Sequence, residues 1–530
     1  MANVHPVEPG ARAGRPNGGS LSAADAAWWF MEEPTNQMTI TAVLTFAGRI
    51  PYEGLRELLA TRLLRHERFR QRVAMPAHPG PPRWVAAEDF SLDEHVLRDR
   101  LPPPADRQAL QEHVSEVMSR RLDYARPLWE FRLVENYAEG AAVIARFHHC
   151  IADGVALIRV LLTLGDPEGD AGMPREPGTP QATSAPSAGP AEPAPAAGPG
   201  AATRRPGPPS GARGGVAAAA SLAHLLGMRR DPRTLLSGRL CPRKRAAWSE
   251  PFPLQSIKDA AHRIGGTIND VLVSAVAGAL GAYLERHGAP AAGLTLHAVV
   301  PVNLRRDDDT ETLGNRFGMV FLPLPVGTRD AIERLRAVKA AMDRIKRSPE
   351  AMVVYGLLAV FGRTAKRMLE WAVGFFGRSA SLVLTNVPGP RGPIRFCGVR
   401  MTGLIAWVPQ SARLALGISV LSYDGQVQLG VASDAGIVPD PDIIVEAFGR
   451  ALRDLLERVG VPVAPRVEGA PAPDLAGAAG QREGAPAPDL AGAAGQREGA
   501  PALDLAAATG PAVAPLSVTA PARLPASAAP

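Results

Sequence analysis

The stretch Phe147-His148-His149-Cys150-Ile151-Ala152-Asp153-Gly154 decides how this chain is read. It closes Ala142-Val-Ile-Ala-Arg-Phe147, an apolar run that reads as a strand, and opens Val155–Leu164, which reads as an apolar helix. With 11 His and 53 Gly among 530 residues, and Asp taken as about one in twenty, His-His-x-x-x-Asp-Gly arises by chance in roughly one such sequence in a thousand. Successive side chains on a strand point to opposite faces, so only one histidine of the pair can face a given cavity. A histidine at a strand end suits general-base work, because its pKa of about 6.5 leaves a neutral ring able to accept a proton. Asp153 can bond locally or pair with an arginine to hold the loop that orients the ring. Gly154 is read as allowing a close backbone approach or an unusual dihedral. Two alternatives stand beside this reading. The histidines could be core residues satisfied by backbone, or His149 and Asp153 could ligate zinc; against zinc stand the three protein ligands a catalytic site needs and the divergence of the two rings.

Outward from the motif, globular composition covers 18–164 and 217–463, each of domain size. The first segment opens with Leu21, Ser22, Asp25, Trp28 and Trp29, continues as a strand over Met38–Phe46, and then as a helix with Leu55, Leu58, Leu59 and Leu63 at helical spacing. Phe131–Val134 reads as a further strand. The second segment gives a helix over Val271–Leu284, strands over Leu294–Val302, Met319–Leu324, Leu382–Leu384, Leu414–Leu421 and Val427–Val431, and a closing helix from Pro441 to about Val459. Interleaved strands and helices predict an α/β fold with mixed sheets. Residues 1–17 are expected to be disordered. So is 165–216, a linker dominated by Pro, Ala, Gly and Ser with little apolar side chain to bury. The tail, 464–530, repeats EGAPAPDLAGAAGQR from Glu468 and Glu483, with a degenerate copy from Glu498; a copy with a Leu or two has no packing face, so disorder is expected there too.

With 53 Gly and 52 Pro in 530 residues, roughly forty are in excess of an ordinary composition, and that excess is assigned to those segments. A net charge of +6 over 530 residues is too mild to argue for a nucleic-acid partner. Cys150, Cys241 and Cys397 show no paired spacing, which excludes a disulfide framework and fits a reducing, cytoplasmic compartment. No signal peptide is expected at the N-terminus. The most apolar uncharged stretch, Val271–Leu284, is shorter than the roughly 20 residues of a bilayer span, so no transmembrane helix is expected.

With its flanking blocks, the motif resembles that of the bacterial wax ester synthase/acyl-CoA:diacylglycerol acyltransferase family, within a wider superfamily of CoA-dependent acyltransferases and condensation domains. Leu21-Ser-Ala-Ala-Asp25 with Glu32-Glu-Pro34 and Met38 is similar to that family's opening, and Arg126-Pro127-Leu128-Trp129-Glu130 to its PLW block. Thr267-Ile268-Asn269-Asp270-Val271 is similar to its Asn-Asp block, and Asn386-Val387-Pro388-Gly389-Pro390 to its NVPGP block. Pro301–Arg305, Leu313-Gly314-Asn315 and Ser422–Gly425 sit where the family has comparable segments. The resemblance covers roughly 20–164 and 240–458, with the blocks in the family's order. It implies two chloramphenicol-acetyltransferase-like domains with an active-site tunnel at their interface. It implies an O-acyltransferase passing a long-chain acyl group from acyl-CoA, the co-substrate, to diacylglycerol or a long-chain alcohol. His149 would be the general base, His148 and Asp153 supporting residues, and no metal or bound cofactor would take part. Acyl transfer from a carrier protein or to a polyketide-type acceptor, and non-catalytic lipid binding, are the alternatives.

The remaining blocks each have a plain structural reading. Pro127, Leu128 and Trp129 read as a buried Trp stapling a strand entry. Asn269 and Asp270 precede the helix Val271–Leu284 and suit N-caps, and Asn269 could also shape the substrate channel. Asn386, Pro388 and Gly389 read as a stiff turn or hairpin that could bring an Asn386 donor to an oxyanion. Arg229, Arg230, Arg233, Arg239, Arg243, Lys244 and Arg245 form a basic cluster, either solvated surface or a partner for anionic lipid or CoA phosphates. An apolar stretch between Ala351 and Phe376, interrupted by Arg363, Lys366 and Arg367, predicts peripheral contact with the inner membrane face or lipid droplets. A monomer is the default.

Overall fold

The computed structural model describes residues 19–76, 80–168, 227–304, 313–361 and 377–461, with single positions at 221, 223, 225, 368 and 373–375. Segments 1–17, 169–216 and 464–530, together with Arg305, Arg363, Lys366, Arg367 and Trp371, lie outside the described residues.

In the first half the chain runs α1 (Ala23–Phe30), β1 (Thr39–Phe46), α2 (Tyr52–Leu58), β2 (Gln71–Ala74), β3 (Arg83–Ala86), β4 (Val96–Asp99), α3 (Arg107–Ser119), β5 (Trp129–Val134), β6 (Ala141–His148), α4 (Gly154–Leu164) and β7 (Asp166–Pro167). In the second it runs β8 (Lys244–Trp248), β9 (Phe252–Pro253), α5 (Leu254–Arg263), α6 (Ile268–Arg286), β10 (Leu296–Asn303), β11 (Phe317–Leu324), α7 (Ala331–Lys346) and α8 (Glu350–Phe361). It closes with β12 (Leu382–Pro388), β13 (Ile394–Phe396), β14 (Val399–Trp407), β15 (Leu416–Tyr423), β16 (Gln426–Asp434) and α9 (Pro441–Arg458).

The expected α/β fold with mixed sheets is present. One seven-stranded sheet has the order β4-β5-β6-β1-β14-β13-β7, with β4 and β5 parallel and the remaining pairs antiparallel. The other has the order β11-β10-β12-β15-β16-β8, with β9 beside β16; β12 runs parallel to both β10 and β15. β1 and β6 lie near the centre of the first sheet, and every residue of β6 is buried. That is why β6 reads as a near-continuous apolar run in the sequence, while β1 shows an alternation in which Thr39, Thr41 and Thr45 share one face. A fully buried aliphatic or aromatic side chain contributes roughly 1.5–3 kcal/mol, so this pair anchors the first core.

Two strands, β13 and β14, break the chain's linear division. β14 comes from the second half yet pairs antiparallel with β1 over Thr41↔Trp407 to Phe46↔Met401. The sequence reading had no strand there, because Gly403 interrupts the alternation and the partner lies far away in sequence.

Three expectations about local structure change. Neither Asn269 nor Asp270 is the N-cap of α6: that residue is Thr267, with Asp270 completing a capping box by accepting the Thr267 N–H, and the helix starts at Ile268. A hydroxyl three residues before a carboxylate satisfies two free N–H groups at once, so Thr267 outcompetes Asn269. The stiff-turn reading also gives way, since Asn386, Val387 and Pro388 belong to β12 and pair in parallel with Val420, Leu421 and Ser422. Gly389 follows, where an added Cβ would meet the Ser422 carbonyl oxygen at 2.1 Å. Finally, the basic cluster is not uniform. Six of its arginines are exposed, but Lys244 is buried, its Nζ donating to Asp434 Oδ2 at 3.0 Å and to the Thr35 carbonyl at 2.8 Å.

Asp434 is fully buried, so Lys244→Ala would strand its charge. The expected loss is about 3–5 kcal/mol in denaturant unfolding, while Arg245→Ala, on the exposed side of the same strand, changes stability by less than about 0.5 kcal/mol.

Candidate active site

The two histidines diverge as the strand geometry requires, into two different environments. His148 ends β6, and its Nδ1 accepts from the Cys150 N–H at 3.1 Å, which leaves the ring proton on Nε2. Nε2 faces Glu32 Oε2 at 3.6 Å, an ion-pair separation. Glu32 is itself buried and accepts from the Met38 N–H at 2.6 Å and from the Tyr124 hydroxyl. Burial alone would raise the Glu32 carboxyl, but His148 and these donors hold it below the usual carboxylate range.

His149 points the other way. Its ring stacks on Trp28 with centroids 4.0 Å apart and planes 20° from parallel, and the Phe317 ring lies 5.6 Å off. Its N–H donates to the Met38 carbonyl at 2.7 Å and its carbonyl accepts from Asn315 Nδ2 at 2.8 Å, so the backbone is pinned on both sides. Burial pushes the His149 ring down to about 4, against the pull of the Asp153 carboxylate. The ring is therefore neutral at ordinary pH.

Asp153 is the N-cap of α4, its Oδ1 accepting from the Ala156 N–H at 2.9 Å, and its Oδ2 accepts from the Arg316 N–H at 3.1 Å. Its two oxygens thus fix the start of a helix and a backbone amide from the second half. Gly154 does not adopt the unusual dihedral expected of it; it is an ordinary first helical residue, and Val408 Cγ1 would lie 3.2 Å from an added Cβ. Leu128 and Trp129 brace the same region, the Leu128 carbonyl accepting from the His148 N–H at 2.9 Å. The Trp129 indole donates to the Phe69 carbonyl at 2.8 Å and stacks on His95. Pro127 leads into this strand. Asn386 Nδ2 donates to Asn269 Oδ1, so those two blocks meet each other; both residues are exposed, and no hydrogen bond joins them to His149.

Four further residues around the histidines had been noted in the sequence without a role there. Asp25, Trp28 and Glu32 lie on and just after α1 at spacings of three and four, one helical face turned to the pair. That periodicity was readable. Asp25, buried, accepts at Oδ1 from both the Asn315 N–H (3.1 Å) and Asn315 Nδ2 (2.7 Å), and burial raises its carboxyl despite these donors. Asn315 carried no such signal, since only the fold brings it across 166 residues to His149.

The family described as "Wax ester synthase/diacylglycerol acyltransferase catalytic domain" matches residues 21–272, and "WS/DGAT C-terminal domain" matches residues 313–456. "Probable diacyglycerol O-acyltransferase tgs1" of Mycobacterium tuberculosis (strain ATCC 25618 / H37Rv) is 30% identical over 451 residues, covering 83% of this chain and 95% of its own length. The chain belongs to the wax ester synthase/diacylglycerol acyltransferase family. It is an acyltransferase by that membership. A further relative, "Putative diacyglycerol O-acyltransferase Rv1760" of the same strain, is 28% identical over 479 residues, covering 85% of this chain and 92% of its own. The solved structure of the wax ester synthase/diacylglycerol acyltransferase from Marinobacter aquaeolei VT8 shares the fold, with a TM-score of 0.61 at 23% identity over 83% of this chain and 99% of that one. So does the first condensation domain of the calcium-dependent antibiotic synthetase, with a TM-score of 0.53 at 18% identity over 85% and 98%.

Both oxygens of Asp153 accept from backbone N–H groups, and an amide offers only one such oxygen. Asp153→Asn can keep the N-cap but sets an NH2 against the Arg316 N–H, so both Asp153→Asn and Asp153→Ala are expected to lose about 1–3 kcal/mol in denaturant unfolding.

Proposed function

We propose that this acyltransferase passes a long-chain acyl group from acyl-CoA to the hydroxyl of diacylglycerol, giving triacylglycerol, or of a long-chain alcohol, giving a wax ester. One observation carries the reading: His149 is buried, neutral and stacked on Trp28 with the tilted Phe317 ring beside both, a base kept dry. The mycobacterial relatives named as diacylglycerol O-acyltransferases support the acceptor class.

In the reaction as drawn, His149 Nε2 takes the acceptor's hydroxyl proton while the oxygen attacks the thioester carbonyl. The C–O bond forms, and the tetrahedral oxyanion collapses with loss of the C–S bond. The imidazolium returns its proton to the CoA thiolate. These steps balance without a metal or bound cofactor. Apolar, water-poor walls are what the chemistry asks for, because water at this position would hydrolyse the thioester. His148, held by Glu32, and Asp153, held by Arg316, keep the loop in place. Asn386 is the proposed oxyanion donor, with one amide hydrogen spent on Asn269 and the other left for the developing charge.

Membrane or lipid-droplet contact belongs to the same reading, since both product and acceptor are lipids. Its support is the apolar segment that starts at α8, where Val360 is 57% and Met368 51% exposed. Among the described residues one helix, Ile268–Arg286, is long and apolar enough to cross a membrane, and 72% of its apolar window is buried inside the protein. Contact is therefore proposed as peripheral, by a monomer.

CoA release from palmitoyl-CoA is expected only with a diacylglycerol or long-chain alcohol present, and is expected to fall by about three to four decades in His149→Ala. A neutral base works above its pKa, so kcat/KM should hold as pH drops past 6.5 and decline only near pH 4; an acid limb at 6.5 contradicts the buried ring. Asn386→Ala with unchanged turnover removes that residue from the mechanism. Anionic vesicles are expected to float the protein in a density gradient, and recovery wholly in the bottom fraction argues against peripheral contact.

A further inference from the structure

Asn315 is bound on three sides and unsatisfied on the fourth. Its Nδ2 donates to Asp25 Oδ1 at 2.7 Å and to the His149 carbonyl at 2.8 Å, which uses both amide hydrogens. Reversing the amide would set its oxygen against a carboxylate and a carbonyl, three acceptors together, so the orientation is fixed by chemistry. Oδ1 is thereby left buried and without a partner. The Nδ1 of His149, on the side chain whose backbone Asn315 already holds, is likewise buried and makes no hydrogen bond of good geometry. Native interiors rarely leave such atoms unpaired, and here one is an acceptor and the other a nitrogen that must carry a proton if Nε2 is to act as the base.

Gly314 makes this placement possible. Its φ of +120° is one that a side chain disfavours, and it turns the chain so that Gly314 accepts from the Asp153 N–H at 3.4 Å while Asn315 reaches Asp25 and His149. Arg316 then donates its N–H to Asp153. The turn is held at both ends of the motif loop, so Asn315 has little freedom to move away from the ring.

We propose that Asn315 is a positioning residue for the reaction: its Oδ1 accepts the Nδ1–H of His149, fixing the tautomer that leaves Nε2 free and bearing part of the charge of the imidazolium formed in turnover. This rests on His149 acting as the base. The proton on Nδ1 stays there throughout; only the Nε2 proton is exchanged between acceptor hydroxyl and thiolate. Asn315 touches neither substrate nor reacting atom.

The test uses the full chain with palmitoyl-CoA and the preferred acceptor, in parallel with His149→Ala. Asn315→Leu, similar in volume, is expected to lower kcat about tenfold or more with KM within twofold. Asn315→Ala removes the same acceptor with a smaller side chain and is expected to lower kcat likewise, moving the acid limb of the pH profile down because the imidazolium loses its acceptor. An Asn315→Leu enzyme that is folded with parental kcat and parental acid limb overturns the proposal. If Asn315→Leu does not fold, Asn315→Ala decides, and parental kcat with an unmoved acid limb overturns it. In 15N-histidine-labelled parent protein His149 is expected to carry its proton on Nδ1; a proton on Nε2 overturns the proposal without reference to activity. Parental activity in His149→Ala instead overturns the base assignment itself, a distinct result.

Discussion

The hydrogen bonds between the Gly314–Arg316 turn and the loop from His149 to Asp153 are the constraint on which the rest of the site depends. They join segments more than 160 residues apart and grip the motif at both ends, at the His149 carbonyl and at the Asp153 carboxylate. A buried neutral histidine has few intrinsic preferences of orientation, so its ring direction must come from fixed backbone on either side. Met38 supplies one side from β1 and Asn315 the other from beyond β10. The site exists only when both halves are folded together, and its precision is a property of the joint.

Two adjacent histidines in one sequence motif have opposite electrostatic surroundings. His148 meets the carboxylate of Glu32 with the Trp29 and Tyr124 rings beside it, while His149 lies flat on the Trp28 ring. The difference follows from strand alternation plus α1 and the residues just after it, which send Trp28 to one ring and Glu32 to the other. This short stretch of sequence thus partitions the pair into a ring beside a carboxylate and a ring buried against Trp28, with Asp25 left to anchor the loop opposite.

Much of this was legible in the sequence where local pattern and final environment agree. β1, β6 and α4 are central, their apolar runs are long, and nothing nearby competes with them. The divergence of the two histidines followed from the two-residue period, whereas the roles given to them came from the family resemblance. What escaped was decided at a distance. β14 has a glycine in mid-strand and finds its partner in the other half, so its local pattern is weak where its tertiary role is strong. Thr267 took the cap from Asn269 because a reciprocal pair of hydrogen bonds outweighs a single good capping residue, and Asn386 lies within a parallel strand despite the prolines after it. Asn315 was visible as part of a block and silent as to purpose; no spacing rule brings it to His149.

The insertion of β14 beside β1 also sets a timetable for synthesis. Chains emerge from the ribosome at roughly 5–20 residues per second, so after β6 is complete the far edge of β1 waits on the order of ten to fifty seconds for the strand that covers it. During that interval a central, apolar strand presents unpaired backbone groups, the arrangement that invites pairing with another chain. The protein's exposure to misassembly is therefore concentrated in a defined window of translation, closed only when Trp407 comes opposite Thr41.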